Sequence, residues 1–310
     1  MTDIPESVRF LHEVEIGLGA WAWGDRLVWG YGKGYADTDI EEAFRVSVEH
    51  GVTLIDTAEV YGNGRSERLL GQFIQKLKQP VIVATKFFPM PWRIRRASVT
   101  RALRHSLERL QLERVDLYQI HWPSPLVPIE QYVEGMVSAH RLGLTRAIGV
   151  SNYDKNQMQR AITTLARYGL PLASNQVEYH LLNRRVEKNG LLERCQELGV
   201  RLIAYSPLAM GLLTGKYGPQ NPPPGMRSGR YAAILKDIQP LLRLMTEIGQ
   251  DLGGKSPAQI ALNWIICKGA LPIPGAKNAR QAETNAGAAG WRLTPEQVRA
   301  LDQASDPFTK

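Results

Sequence analysis

Short runs of apolar and β-branched residues recur along the chain, separated by longer stretches in which apolar positions fall three and four apart. The runs are EIGLGAW (15–21), VTLIDTA (52–58), VIVATKF (81–87), VDLYQIH (115–121), TRAIGVS (145–151), ASNQVEY (173–179), VRLIAYSPL (200–208) and ALPIPGA (270–276). Each reads as a strand that is apolar for most of its length, as expected when both faces of a parallel sheet are covered. The stretches between them read as helices: 38–51, 66–77, 98–110, 129–142, 154–167, 187–198, 238–252 with 256–268, and 278–289. Thr38 and Gly51 supply cap and stop signals for the first. Eight such cycles without a shift in composition predict one domain over 1–310, a closed (β/α)8 TIM barrel rather than an open doubly wound sheet. The Pro- and Gly-rich segment 216–230 follows the seventh strand and reads either as a disordered loop or as a lid over a bound cofactor.

Composition narrows the setting. The chain has 310 residues, 44% hydrophobic and 22% charged, enough apolar surface for a substantial core and unlike a disordered chain. No basic segment leads into an apolar one at the N-terminus, and no apolar run is long enough to span a bilayer, so a soluble cytoplasmic protein is expected. Cys195 and Cys267 lack ligand spacing and read as buried helix residues, which fits a reducing compartment. The net charge of +8 and the arginine-rich stretch 92–114 raise nucleic-acid or membrane binding. Val99, Leu103, Leu107 and Leu110 recur there at helical spacing, however, so the arginines fall on a solvated face and neither partner is expected. Such a charge equally favours a small anion such as a dinucleotide phosphate.

In a (β/α)8 barrel the active site lies at the C-terminal ends of the strands. Asp56 ends the second strand, Tyr61 lies in the loop after it, Lys86 ends the third and His121 the fourth. A lysine ending an apolar strand is costly unless paired, and Asp56 next door is its partner. A free tyrosine, with a pKa near 10, holds its proton too tightly to be an ideal acid, and a neighbouring ammonium is expected to lower that value. His121 is expected to orient a carbonyl or to assist proton delivery. Singly, each residue has an ordinary structural reading as cap, surface ring, snorkelling lysine or core histidine. Four at successive strand ends favour chemistry on a carbonyl oxygen. The chain offers no paired nucleophile and base, no carboxylate pair at glycosidase spacing and no metal cluster, so hydrolysis has little support.

The stretches LIDTAEVYGNGRSE, VIVATKF, LYQIHWP and IGVSN resemble motifs of the aldo-keto reductases, in order from GLGAW (17–21) to IPGAKNARQAETN (273–285). The resemblance implies a catalytic tetrad of Asp56, Tyr61, Lys86 and His121, with Tyr61 as general acid toward a carbonyl that receives hydride from a nicotinamide. It further implies that Ser151, Asn152 and Gln176 bind the carboxamide, that Tyr205 stacks on the nicotinamide ring, and that Ser206, Pro207, Leu208, Gly211 and Lys216 hold the pyrophosphate. No GxGxxG follows a strand, so a Rossmann domain is not indicated. Lys277 is placed to pair with a 2′-phosphate at the start of a helix near Asn278, with Gln281 and Asn285 added by the resemblance. Arg280 lies in the same segment, and Thr284 departs from the acidic residue usual before that asparagine.

Trp21, Trp23, Trp122, Tyr153 and Met210 lie near strand ends and are expected to wall a pocket for an aldehyde or planar ketone, with the insert 24–35, carrying Trp29 and Tyr31, as its rim. The reading is an NADPH-dependent carbonyl reductase acting on a small molecule, expected as a monomer because the family often is. Two others compete: a cofactor-bound redox-sensing regulatory protein with slow turnover, and an isomerase or lyase using the same anion site without nicotinamide.

Overall fold

In the computed structural model of the protein, which describes residues 4–223 and 233–309, the eight apolar runs form one parallel sheet in the order β1 to β8. Its strands are β1 (Gly17–Gly19), β2 (Leu54–Asp56), β3 (Ile82–Phe87), β4 (Val115–Ile120), β5 (Thr145–Ser151), β6 (Ser174–Glu178), β7 (Arg201–Tyr205) and β8 (Leu271–Pro272). A parallel bridge between Gly19 and Gly275 brings the end of β1 to the chain just after β8, so the sheet curls into a barrel. The helices are α1 (Glu6–Arg9), α2 (Asp37–Glu49), α3 (Arg65–Leu77), α4 (Arg96–Leu110), α5 (Ile129–Arg141), α6 (Lys155–Ala166), α7 (Arg185–Lys188), α8 (Leu191–Glu197), α9 (Gln239–Asp251), α10 (Pro257–Cys267), α11 (Ala279–Ala286) and α12 (Pro295–Ser305).

Successive strand residues face opposite sides, and the buried residues divide accordingly. Leu54, Ala84, Leu117, Ala147, Ile203 and Leu271 fill the barrel interior and meet Val8, Phe10 and Leu11, which α1 and the turn after it press against them as a floor. Ile55, Val83, Tyr118, Ile148 and Leu202 pack outward under the helices. Two residues further along, the inward positions become polar: Asp56 on β2, Lys86 on β3 and Gln119 on β4, with Lys86 in register with Gln119. The apolar floor thus ends where the candidate chemistry begins.

Three expectations change. The stretch read as one helix over 187–198 is two, α7 and α8, because Gly190 takes a left-handed φ of 70° between them. The eighth strand and the helix after it are shorter than 270–276 and 278–289. Cys195 is buried as expected, whereas Cys267 is only half-buried. Of the segment 216–230, residues 224–230 lie outside the described residues.

Candidate active site

The alternation that builds the floor also turns Lys86 inward, and it is fully buried. An unpaired buried ammonium costs several kcal/mol, more than the roughly 1.5–3 kcal/mol that burying one leucine returns. The site meets that cost with three acceptors: Nζ donates to Asp56 Oδ1 in a tight ion pair, to Thr57 O at 2.8 Å and to Tyr61 Oη at 3.3 Å. Burial pulls the Lys86 pKa down, but Asp56 and Tyr61 together hold it above the ordinary lysine value. Lys86 does not line the cavity; it touches Tyr61, which does.

The second oxygen of Asp56, Oδ2, accepts from Gln176 Nε2 at 2.9 Å and from Gln119 Nε2 at 3.3 Å. Gln119 Oε1 accepts in turn from Ser174 Oγ at 3.3 Å. Sequence reading passed over Gln119, although a polar residue inside an apolar strand, two positions before His121, was the available signal. A Cβ on Gly149 would stand 2.3 Å from Ser174 Oγ and 2.9 Å from Gln119 Cγ, so the glycine of IGVSN leaves the room this network needs.

Tyr61 stands on a turn in which Gly62, Asn63 and Gly64 all have positive φ. Burial pushes its phenol pKa above the ordinary 10; Lys86 pulls it down, Asp56 pushes it up, and the balance is upward. This corrects the expectation of a lowered value: burial, with Asp56 on its side, outweighs the pull of Lys86. Burial, aided by the positive charge of Lys86, pulls His121 down to about 3. Its ring stands edge-on to Tyr61 at 5.8 Å between centroids, and its buried Nδ1 has no hydrogen-bond partner among the described residues. A neutral imidazole orients a carbonyl but carries no extra proton to deliver, so the first of its two expected roles fits.

A cavity of about 910 Å³ opens here. Asp56, Tyr61 and His121 line one end, with Ser151, Asn152, Gln176 and Tyr205 beside them. Ser206, Pro207, Leu208, Gly211 and Lys216 continue the wall, which ends at Lys277, Arg280, Gln281 and Asn285. Every residue expected at a cofactor therefore borders one continuous space. Tyr205 Oη donates to Asn152 Oδ1 at 3.1 Å, and Asn152 Nδ2 donates to His121 O at 3.1 Å. Asn152, Ser206, Ala209 and Met210 are non-glycine residues with φ of 62°, 51°, 49° and 53°. Such backbone costs on the order of 1–3 kcal/mol each, and here it gathers at the ends of β5 and β7, around the cavity. At the far end Asn278 caps α11 by accepting from Gln281 N at 3.0 Å, and Lys277 N donates to Gln281 Oε1 at 3.0 Å.

Of the expected substrate wall, Trp21, Trp122 and Met210 line the cavity, Trp21 with its ring 6.4 Å from that of Tyr61. Trp23 and Tyr153 do not, and this corrects their assignment. β1 ends at Gly19 and the chain turns, so Trp23 points outward to Phe44 and Phe73 at 6.4 and 5.7 Å and donates through Nε1 to Ala276 O at 3.2 Å. Asn152, in its left-handed conformation, sends the next residue away from the mouth: Tyr153 is fully buried, and its carbonyl accepts from Asn175 Nδ2 at 2.9 Å. Trp29, on the rim, meets Trp21 edge-on at 5.6 Å. Among the described residues no group of His, Cys, Asp and Glu could hold a metal, and no helix is long and apolar enough to cross a membrane.

Comparison with known proteins agrees with this geometry. The model of the Aldo/keto reductase family matches residues 15–306. The chloroplastic pyridoxal reductase of Arabidopsis thaliana is 43% identical over 308 residues, covering 95% of this chain and 84% of that one. An aldo-keto reductase from Klebsiella pneumoniae crystallised in complex with NADPH superposes with a TM-score of 0.72 at 32% identity, over 93% of this chain and 90% of that one. The glycerol dehydrogenase of Gluconobacter oxydans superposes with a TM-score of 0.82 at 28% identity, over 95% and 92%. An eight-stranded parallel barrel with this arrangement at its mouth, matched over nearly its whole length, belongs to the aldo/keto reductase family of oxidoreductases.

Proposed function

We propose that the protein reduces an aldehyde or ketone to the alcohol with NADPH as hydride source and Tyr61 as proton donor. The observation that carries this reading is the Tyr61 hydroxyl joined to the buried Lys86–Asp56 pair at one end of a cavity whose other end is basic. The residues present fit such a cofactor. Asn152 and Gln176 offer amides beside Tyr61, and Lys216, Lys277 and Arg280 line the remainder, where the N-terminus of α11 also favours an anion. Gln176 spends its Nε2 on Asp56 and on Gln119 Oε1, so the group it turns to a carboxamide is its carbonyl oxygen.

Bound along this wall, the nicotinamide supplies the hydride to the carbonyl carbon. His121, neutral and with an unpartnered nitrogen, orients the carbonyl oxygen toward Tyr61. Tyr61 holds its proton until negative charge develops on that oxygen, then gives it up, and Lys86 at 3.3 Å stabilises the phenolate left behind. Asp56 keeps Lys86 charged and in place. Trp21 and Trp122 give flat apolar faces, which suit an aromatic aldehyde; with the Arabidopsis relative named a pyridoxal reductase, pyridoxal is the first substrate to try. We propose a monomer as the working unit. The free cysteines fit a reducing compartment, for which we propose the cytoplasm, although the Arabidopsis relative is named chloroplastic.

The test is loss of 340 nm absorbance with pyridoxal or a nitrobenzaldehyde, run with NADPH and with NADH. Oxidation favouring NADPH, absent in the Tyr61→Phe variant, is expected. No oxidation with either cofactor by folded protein overturns the proposal.

A further inference from the structure

Lys277 follows β8, yet its ammonium reaches across the cavity edge to the loop after β1. Nζ donates to Trp29 O at 3.0 Å and lies 4.8 Å from the centroid of the Trp29 ring and 4.4 Å from that of Tyr35. A cation over two aromatic faces is attracted to both. Trp29 and Tyr35 carry no formal charge, so these two orient the ammonium without opposing its charge, unlike the carboxylate that holds Lys86.

The seat itself is braced. Asp25 Oδ1 accepts from Val28 N at 2.8 Å and Trp29 N at 3.3 Å, and Tyr35 Oη donates to Ala22 O at 2.7 Å. Tyr31 packs edge-on against Tyr35 at 5.8 Å and donates to Asp37, which also accepts from Arg65 at 2.7 Å. The insert is therefore more than a rim that narrows access. It is a fixed aromatic surface on which a flexible side chain from the neighbouring strand end, across the seam that closes the barrel, rests.

A lysine stem has many rotamers, and ordering it at the moment of binding lowers affinity unless it is ordered beforehand. We propose that Trp29 is a specificity-determining positioning residue for the 2′-phosphate of the dinucleotide: its carbonyl and ring, with the ring of Tyr35, hold the Lys277 ammonium at the cavity edge before the cofactor arrives. The loop after β1 then shares with the start of α11 the preference for a phosphorylated adenosine. This rests on the reading that Lys277 faces that phosphate.

Binding, not turnover, tests it. Dissociation constants for NADP+ and NAD+ are measured by calorimetry on the wild type, Trp29→Leu, Trp29→Phe, Lys277→Met and the Trp29→Leu/Lys277→Met double variant. Trp29→Leu is expected to weaken NADP+ about fivefold, about 1 kcal/mol at tenfold per 1.4 kcal/mol, and to leave NAD+ unchanged. Trp29→Phe keeps an aromatic face and restores most of the loss. In the Lys277→Met background, Trp29→Leu no longer changes the ratio of the two constants. Equal weakening of both cofactors overturns the proposal, since the ring would then merely cover the cavity. Tighter NADP+ binding overturns it too, because the seat would be a competitor of the phosphate, and so does an unchanged ratio. If Lys277→Met alone leaves the ratio unchanged, the phosphate reading itself falls. NAD+ affinity serves throughout as the check that each variant is folded.

Discussion

Replacing His121 with glutamine removes an imidazole from the cavity mouth while keeping a side chain that can hydrogen-bond. In the folded protein burial and Lys86 hold this histidine near 3, against an ordinary 6.5. Below pH 6.5 the unfolded chain therefore takes up a proton that the folded chain refuses. The folded state is unaffected above 6.5 and loses stability as pH falls toward 3, with a slope approaching 1.36 kcal/mol per unit. Between about pH 7.5 and about pH 5 the wild type should lose about 2 kcal/mol that His121→Gln does not lose. Urea unfolding of both proteins at the two pH values measures the difference, and the other histidines cancel in the comparison. A histidine ring resonance missing from the variant should stay put in the wild type from neutral pH down to about pH 5. For function, the wild-type kcat should show no inflection near 6.5, because the imidazole is neutral on both sides of it. A His121 resonance titrating near 6.5, or stability curves that fall in parallel, would refute the electrostatic reasoning and restore proton delivery as a role for this residue.

Tyr61→Phe should lower kcat by about 10²–10⁴-fold, the usual worth of a positioned acid, with NADP+ affinity by calorimetry unchanged; since burial raises the phenol pKa above 10, the wild-type reduction rate should fall only in strongly alkaline buffer. Lys86→Met strands the Asp56 carboxylate in the interior and should cost about 3–5 kcal/mol in urea unfolding; a stable, fully active Lys86→Met protein would show that the pair does neither job assigned to it. Gly149→Ala forces Ser174 and Gln119 apart and should cost about 1–3 kcal/mol, with a fall in kcat at unchanged KM as Asp56 loses its support; equal stability to the wild type in thermal unfolding would dismiss the network.

The barrel was legible because a parallel sheet covered on both faces leaves continuous apolar runs, and eight of them leave few architectures to choose between. Periodicity also reads 187–198 as one helix, since a left-handed glycine at 190 interrupts the backbone without disturbing the apolar spacing. Asp56, Lys86 and His121 could be found from the sequence because ending an apolar strand on an ionisable group is itself a local signal. Direction was harder. Trp21 and Trp23 look alike in the sequence, yet the turn after Gly19 sends one to the cavity and the other to Phe44 and Phe73. Gln119 stayed hidden because its partners come from β2 and β6, across the barrel, where only strand register brings them together. The Lys277 seat joins residues 248 positions apart and had no local signal at all.

The upward shift of Tyr61 follows from burial first and from Asp56 after it. One carboxylate oxygen of Asp56 takes the ammonium and the other takes two amide donors, so its charge is fixed beside the phenol and opposes that of Lys86 there. A phenol that stays protonated is a weak acid toward water but an adequate one toward an alkoxide-like oxygen, which is far more basic than a phenolate. In the proposed reaction the proton is released only when charge develops on the bound carbonyl, and Lys86 is already in contact with the oxygen that would become negative. On the proposed mechanism the Asp56–Lys86 pair stabilises the product state of proton transfer rather than loosening the proton in advance. The two descriptions diverge in one measurable respect: a pair that loosens the proton in advance leaves the resting Tyr61 phenol titrating below 10, with the reduction rate falling as it ionises, whereas a pair that acts after transfer leaves it titrating above 10. Ultraviolet difference titration against Tyr61→Phe, with kcat on the same samples, separates them.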